Sequence, residues 1–161
     1  MRMEIETVTA TAGSESLAAV LDRKGRSVFF VEPDDTVFEA IRRMAERHIG
    51  ALAVLDGGVL TGMISERDYA RKVILQGKSS RETSVREIMS APVVTASDSM
   101  SVGEGLRMMT ERRIRHLPVV NPRTGAVDGI VSIGDLVRSV MSAQARTLEH
   151  LTSYISGSYP A

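Results

Sequence analysis

The spacing of apolar positions along this chain changes in a fixed order, and the order occurs twice. Val37, Ile41 and Met44 recur at helical spacing behind Thr36, a good N-cap, and predict a helix over 37–48. The apolar run 51–55 predicts a strand, Asp56-Gly57-Gly58 a turn, and 59–64 a second strand. A second helix is expected over 67–76. An extended segment at 28–31, closed by the turn Pro33-Asp34-Asp35, completes the order strand, helix, strand, strand, helix. Downstream, Ser101 caps a helix over 102–113, and strands fall at 117–120 and 126–131 about the turn 121–125. A last helix begins at 134.

The two passages agree residue by residue. Val37 aligns with Val102, Glu39 with Glu104, Arg42 with Arg107 and Met44 with Met109. Ile49, Leu52 and Val54 fall on Ile114, Leu117 and Val119. After an insertion at 121–124, Gly62, Ser65 and Asp68 meet Gly129, Ser132 and Asp135. Each copy of such a unit has an apolar face that its twin can cover. The expected fold is therefore α+β: two β-α-β-β-α repeats packed with pseudo-twofold symmetry, with a cleft between them. The repeats occupy 28–76 and 93–141, joined by a polar linker at 77–92 that ends in a short apolar segment over 85–89.

The flanks carry less information. Residues 1–27 form an N-terminal segment, whose Thr-rich start at 1–13 reads as frayed or as a short strand. A short helix follows over 14–24, with Leu17, Val20 and Leu21 on one face and Gly25 as its stop. In the tail, 142–161, Leu148, Leu151 and Ile155 extend a helical stripe that needs cover, from its own chain or from a second copy.

Composition narrows the function classes. A chain of 161 residues with 43% hydrophobic positions suits one compact domain or two small units sharing a core. Formal net charge is zero, and no long charged block points to a nucleic-acid or membrane surface. The lack of Cys excludes disulfides, thiolate catalysis and Cys-ligated zinc. The first residues hold no apolar core of signal-peptide length, and no run approaches the roughly 20 apolar residues of a membrane span. The expectation is a soluble, cytoplasmic protein.

The doubled motif, Gly62-Met63-Ile64-Ser65-Glu66-Arg67-Asp68 and Gly129-Ile130-Val131-Ser132-Ile133-Gly134-Asp135, resembles the signature of cystathionine-β-synthase (CBS) domains. Arg115-His116-Leu117-Pro118-Val119-Val120 and the linker Val85-Arg86-Glu87-Ile88-Met89-Ser90 add to the resemblance, which covers about 28–141. Two such repeats resemble a CBS pair, or Bateman module, of the small stand-alone bacterial kind. The resemblance implies a homodimerising regulatory protein that binds AMP, ADP, ATP, S-adenosylmethionine or NAD(H) in the inter-repeat cleft and signals to an effector protein.

Residue chemistry admits two readings of the motif. Ser65 with Asp68, and Ser132 with Asp135, have the spacing of a helix capping box. The same carboxylate can also accept hydrogen bonds from both hydroxyls of a ribose. A Ser hydroxyl and the free N–H groups of a helix start can hold phosphate. The resemblance makes Arg115 and His116 candidate phosphate contacts, Arg offering a planar fork of donors, against the alternative of a solvated basic helix end. In the first repeat Gly50-Ala51 stand in their place, so the two clefts are not equivalent. Arg67 follows the Ser65 cap and could face phosphate. Thr36 is chiefly an N-cap, but the resemblance places it near ligand, and it places Val28 and Thr95 beside the base. Met44, Met63, Met108 and Met109 read as core filler.

Little speaks for an enzyme. His48, His116 and His150 are scattered without metal-ligand spacing. No nucleophile elbow, Walker loop or glycine-rich dinucleotide fingerprint occurs. The alternative to a nucleotide sensor is a CBS scaffold that binds no ligand and serves protein interaction.

Overall fold

A computed structural model describes residues 13–155. The expectation for 1–13 lies, save Gly13, outside the described residues. The element order is α1 (Leu17–Lys24), β1 (Phe30–Val31), α2 (Val37–Arg47), β2 (Ala51–Asp56), β3 (Val59–Ser65), α3 (Glu66–Tyr69), a π-helical turn (Ala70–Ile74), α4 (Val85–Ile88), α5 (Val102–Arg112), β4 (His116–Val120), β5 (Val127–Ser132) and α6 (Ile133–Ile155). This is an α+β chain of two β-α-β-β-α repeats. It divides into two compact units: one holds Ser27–Thr95 and Val120–Gly129, the other the chain up to Arg26, Ala96–Val119 and the chain from Ile130 on.

In the first unit β1, β2 and β3 form one sheet, β1 parallel to β2 and β2 antiparallel to β3. Ala51–Val54 are all buried. That is why β2 reads as an unbroken apolar run rather than an alternating one. Val37, Ala40 and Met44 line the buried side of α2 and share a core with Val31, Leu52, Val54 and Ile64. Thr36 Oγ1 accepts the Glu39 N–H at 3.2 Å and so starts the helix. His48 ends it in the left-handed region, at φ 53°.

The expected helix over 67–76 differs in form. It starts at Glu66, and after Tyr69 the Leu75 N–H bonds to the Ala70 carbonyl, five residues back, at 3.1 Å. This wider turn is a π-helical step.

The second unit repeats much of this. Val102 and Met109 are buried on α5, Leu117 and Val119 on β4, Val131 on β5 and Leu136 on α6. Its first strand, however, shrinks to a single parallel bridge between Ala96 and Val119. The reason lies in one residue. In the first unit the Ala53 N–H donates to the Phe29 carbonyl at 3.2 Å. The aligned residue is Pro118, which has no N–H to donate.

The two segments expected to be flanks are themselves equivalent. The N–H groups of Val85 and Arg86 donate to the carbonyls of Asp35 and Pro33 at 2.8 and 2.9 Å. Those of Leu17 and Ala18 donate to Met100 and Asp98 at the same two distances. In return Val37 donates to Thr83, and Val102 to Glu15. Leu17, Val20, Val85 and Ile88 are all buried. Each unit is thus one repeat completed by the segment that precedes the other repeat in sequence.

The final helix runs unbroken from Ile133 to Ile155, so the tail does continue it. Leu148 and Leu151 stay 65% and 51% exposed, and nothing among the described residues covers them.

Candidate functional site

Both Ser-x-x-Asp motifs sit at the junction of a strand and a helix, and both close the capping box. The Ser65 N–H donates to Asp68 Oδ2 at 2.9 Å, and the Asp68 N–H returns to Ser65 Oγ at 3.2 Å. The Ser132 N–H donates to Asp135 Oδ2 at 2.8 Å, and the Asp135 N–H to Ser132 Oγ at 3.2 Å. The first helical N–H in each case is taken by a carbonyl: Glu66 by Gly50 at 3.1 Å, Ile133 by Arg115 at 2.8 Å. The capping role is therefore real in both copies. What else each carboxylate holds decides whether it can also serve a ligand.

Asp68 is saturated. Oδ2 also accepts the Ser65 hydroxyl at 2.8 Å. Oδ1 accepts the Ser90 hydroxyl at 3.3 Å and the Lys72 ammonium at 2.9 Å. Lys72 is anchored further by the Ile88 carbonyl at 2.7 Å. Two of these partners come from the linker or the same helix, and all lie within the first unit.

Asp135 is held differently. Oδ2 accepts Lys24 Nζ at 2.6 Å, while Oδ1 accepts Arg138 at 2.9 Å. Lys24, at the end of α1, also donates to the Ile130 carbonyl at 2.8 Å. The Asp135 side chain is only 9% exposed, while Arg138 is 74% exposed. Burial alone would raise the Asp135 pKa, but the Lys24 ammonium and the Ser132 N–H outweigh it and hold the carboxyl below its ordinary value.

His116 opens β4 and is half-buried beside the same group. Burial lowers its pKa first, then the charges of Arg115 and Lys24, with Asp135 working the other way. The neutral imidazole, one donor and one acceptor, is therefore the form at pH 7. Arg115 is exposed. Lys24, Arg115, His116, Ser132 and Asp135 thus gather in one unit around a carboxylate, with an excess of basic groups.

The other sequence candidates do not join a cluster of this kind. Arg67 is exposed on α3. Thr36 is engaged as the α2 cap, and Thr95 is exposed beside the reduced first strand. Sequence reasoning missed Lys24, Lys72, Ser90 and Arg138 as partners of the motif. Lys72, at i+4 from Asp68, carried a local signal. Lys24, 111 residues from Asp135, carried none. Among the described residues no group of three or more His, Asp and Glu could hold a metal ion, and no helix is long and apolar enough to cross a membrane.

The family model for the CBS domain matches residues 18–74 and 85–142. The chain is 38% identical over 155 residues to the CBS domain-containing protein CBSX3, mitochondrial, of Arabidopsis thaliana, across 91% of this chain and 74% of that protein. It shares 46% identity and a TM-score of 0.76 with the structure of a protein with CBS domains from Burkholderia ambifaria, covering 80% of this chain and 95% of that one. The CBS domain pair of protein MJ0100, solved in complex with 5′-methylthioadenosine and S-adenosyl-L-methionine, matches with a TM-score of 0.68 and 26% identity over 77% of this chain and 94% of its own. The chain therefore belongs to the CBS domain family and carries two CBS domains in tandem. Such domains are regulatory, non-catalytic modules.

Proposed function

We propose that this CBS pair is a sensor of adenine nucleotides, AMP, ATP or NAD(H), and that it signals occupancy to a partner protein, itself acting as a homodimer. The observation that carries the reading is the Asp135 cluster. A nearly buried carboxylate sits at a helix start, held by two side-chain cations that can be replaced, with Arg115 and His116 beside it. Asp135 would accept the ribose hydroxyls, Ser132 and the basic pair would face phosphate, and Thr95 would lie near the base. Support also comes from the adenosyl compounds held by the related MJ0100 pair. Signalling requires that the ligand favour one arrangement of the module over another.

Asp68 with Ser65, Arg67 and Thr36 would form the corresponding site of the first repeat. Its saturated carboxylate and the small Gly50-Ala51 pair favour Asp135 as the principal site. The same features motivate the second reading, a scaffold that engages proteins without a small ligand.

The test is thermal unfolding of the full chain, freed of carried-over ligand, with AMP, ADP, ATP, NAD+, NADH and S-adenosylmethionine. A ligand at a hundredfold excess over its Kd adds about 2.7 kcal/mol. That raises the midpoint by on the order of 5 °C for a chain of this size. The shift should vanish in Asp135→Ala. Unchanged midpoints across the set, with a partner still recovered by the chain, would favour the scaffold.

A further inference from the structure

Lys24 lies outside the doubled motif, yet its ammonium is the closest group to the Asp135 carboxylate, at 2.6 Å. It ends α1, and Gly25 follows at φ 101°, a backbone conformation that side-chain-bearing residues rarely adopt. The helix end is thus fixed, while the four-carbon stem above it remains free to turn. Nζ spends two of its three donors, on Asp135 Oδ2 and on the Ile130 carbonyl.

A ribose that places one of its adjacent hydroxyls on each oxygen of Asp135 must displace Lys24 from Oδ2, because the Ser132 N–H on that oxygen is backbone and stays. Arg138, 74% exposed, can move into water at little cost. Lys24 is different. Its neighbours at the site, the Arg115 cation and the neutral His116 imidazole, carry no negative charge. An ammonium pushed off Asp135 keeps the Ile130 carbonyl, and among the described residues it is bonded to no other carboxylate. A neutral nucleoside would leave that charge without a counterion. A nucleotide brings one with it.

We propose that Lys24 selects phosphorylated ligands at the Asp135 site, pairing with Asp135 before binding and passing to the ligand phosphate when ribose takes the carboxylate. This rests on the nucleotide reading above and adds a residue and a selectivity to it. The first repeat lacks such a device: Lys72 reaches Asp68 from its own helix turn, and the carboxylate is closed by Ser65 and Ser90 as well.

The experiment is calorimetric titration of the full chain with AMP and with adenosine, in wild type, Lys24→Met and Lys24→Arg, at low salt. Lys24→Met should lower the AMP-to-adenosine preference by about tenfold or more, the scale of one charge-assisted hydrogen bond. Adenosine affinity should hold or rise, since its competitor for Asp135 is gone. Lys24→Arg, which keeps the charge, should restore most of the preference and guards against a folding defect. Equal changes for both ligands in Lys24→Met would make Lys24 a structural contact and overturn the proposal, while the nucleotide reading stood. A wild type that binds neither ligand would overturn both.

Discussion

The two Ser-x-x-Asp motifs share their backbone geometry and differ in what guards the carboxylate. Asp68 accepts four bonds, from the Ser65 N–H, the Ser65 and Ser90 hydroxyls and the Lys72 ammonium. Asp135 accepts one backbone bond and two cations, of which one is exposed and one comes from a helix at the far end of the sequence. Both carboxylates hold a lysine, but only Asp68 is also tied by hydroxyls from two segments. The same four-residue signature is therefore closed by two hydroxyls and one cation in one copy and by two cations in the other. Fold and motif alone do not separate the two; the surrounding partners do.

Stability measurements should expose the difference most strongly at these two residues. Asp68→Ala strips the acceptor from four donors at once, among them a cap, and should cost about 3 kcal/mol. Asp135→Ala strips the acceptor from three donors, of which Arg138 is mostly in water already, and should cost about half as much, on the order of 1.5 kcal/mol. Denaturant unfolding of both variants checks the order. Equal costs would mean that the guarding partners are of no consequence.

Much of this was legible in the sequence, and the misses have identifiable causes. The caps Thr36 and Ser101 and the buried β2 run each obey a local rule, so they were found. The π-helical turn was missed because nothing in Ala70–Ile74 departs from ordinary helical composition. The completion of each repeat by the other's leading segment was missed although a signal existed. Ser16-Leu17 with Val20-Leu21 matches Ser84-Val85 with Ile88-Met89 in spacing and apolar character. A short stretch of that kind is weak until backbone bonds show both copies docking alike. Lys24 on Asp135 is a long-range pairing with no local pattern.

The reduced first strand of the second unit gives a sharper, smaller test. If Pro118 is what limits it, then Ala53→Pro should reduce the first unit in the same way. It removes the Ala53 N–H bond to Phe29 and should cost about 2 kcal/mol. Amide exchange should then quicken along β1 while the β2–β3 ladder keeps its protection. Lost protection across all three strands would show instead that the substitution breaks the whole sheet.

The smallest expected effect falls where the two repeats agree. Each repeat ends its first helix, α2 or α5, on a residue with a side chain in the left-handed region, His48 at φ 53° and Arg113 at φ 54°. Both make the bond that closes such a helix end, His48 N–H to Ala45 and Arg113 N–H to Thr110, at 3.3 Å each. Glycine adopts this backbone without the Cβ penalty, so His48→Gly and Arg113→Gly should each stabilise the fold. The gain is about 1 kcal/mol at most, because glycine also loses more freedom on folding. Both residues are exposed, so little packing is lost. Parallel gains would show that the two caps are interchangeable backbone devices. A gain at His48 with a loss at Arg113 would mean that the arginine side chain, two residues before Arg115, has work of its own in the second unit.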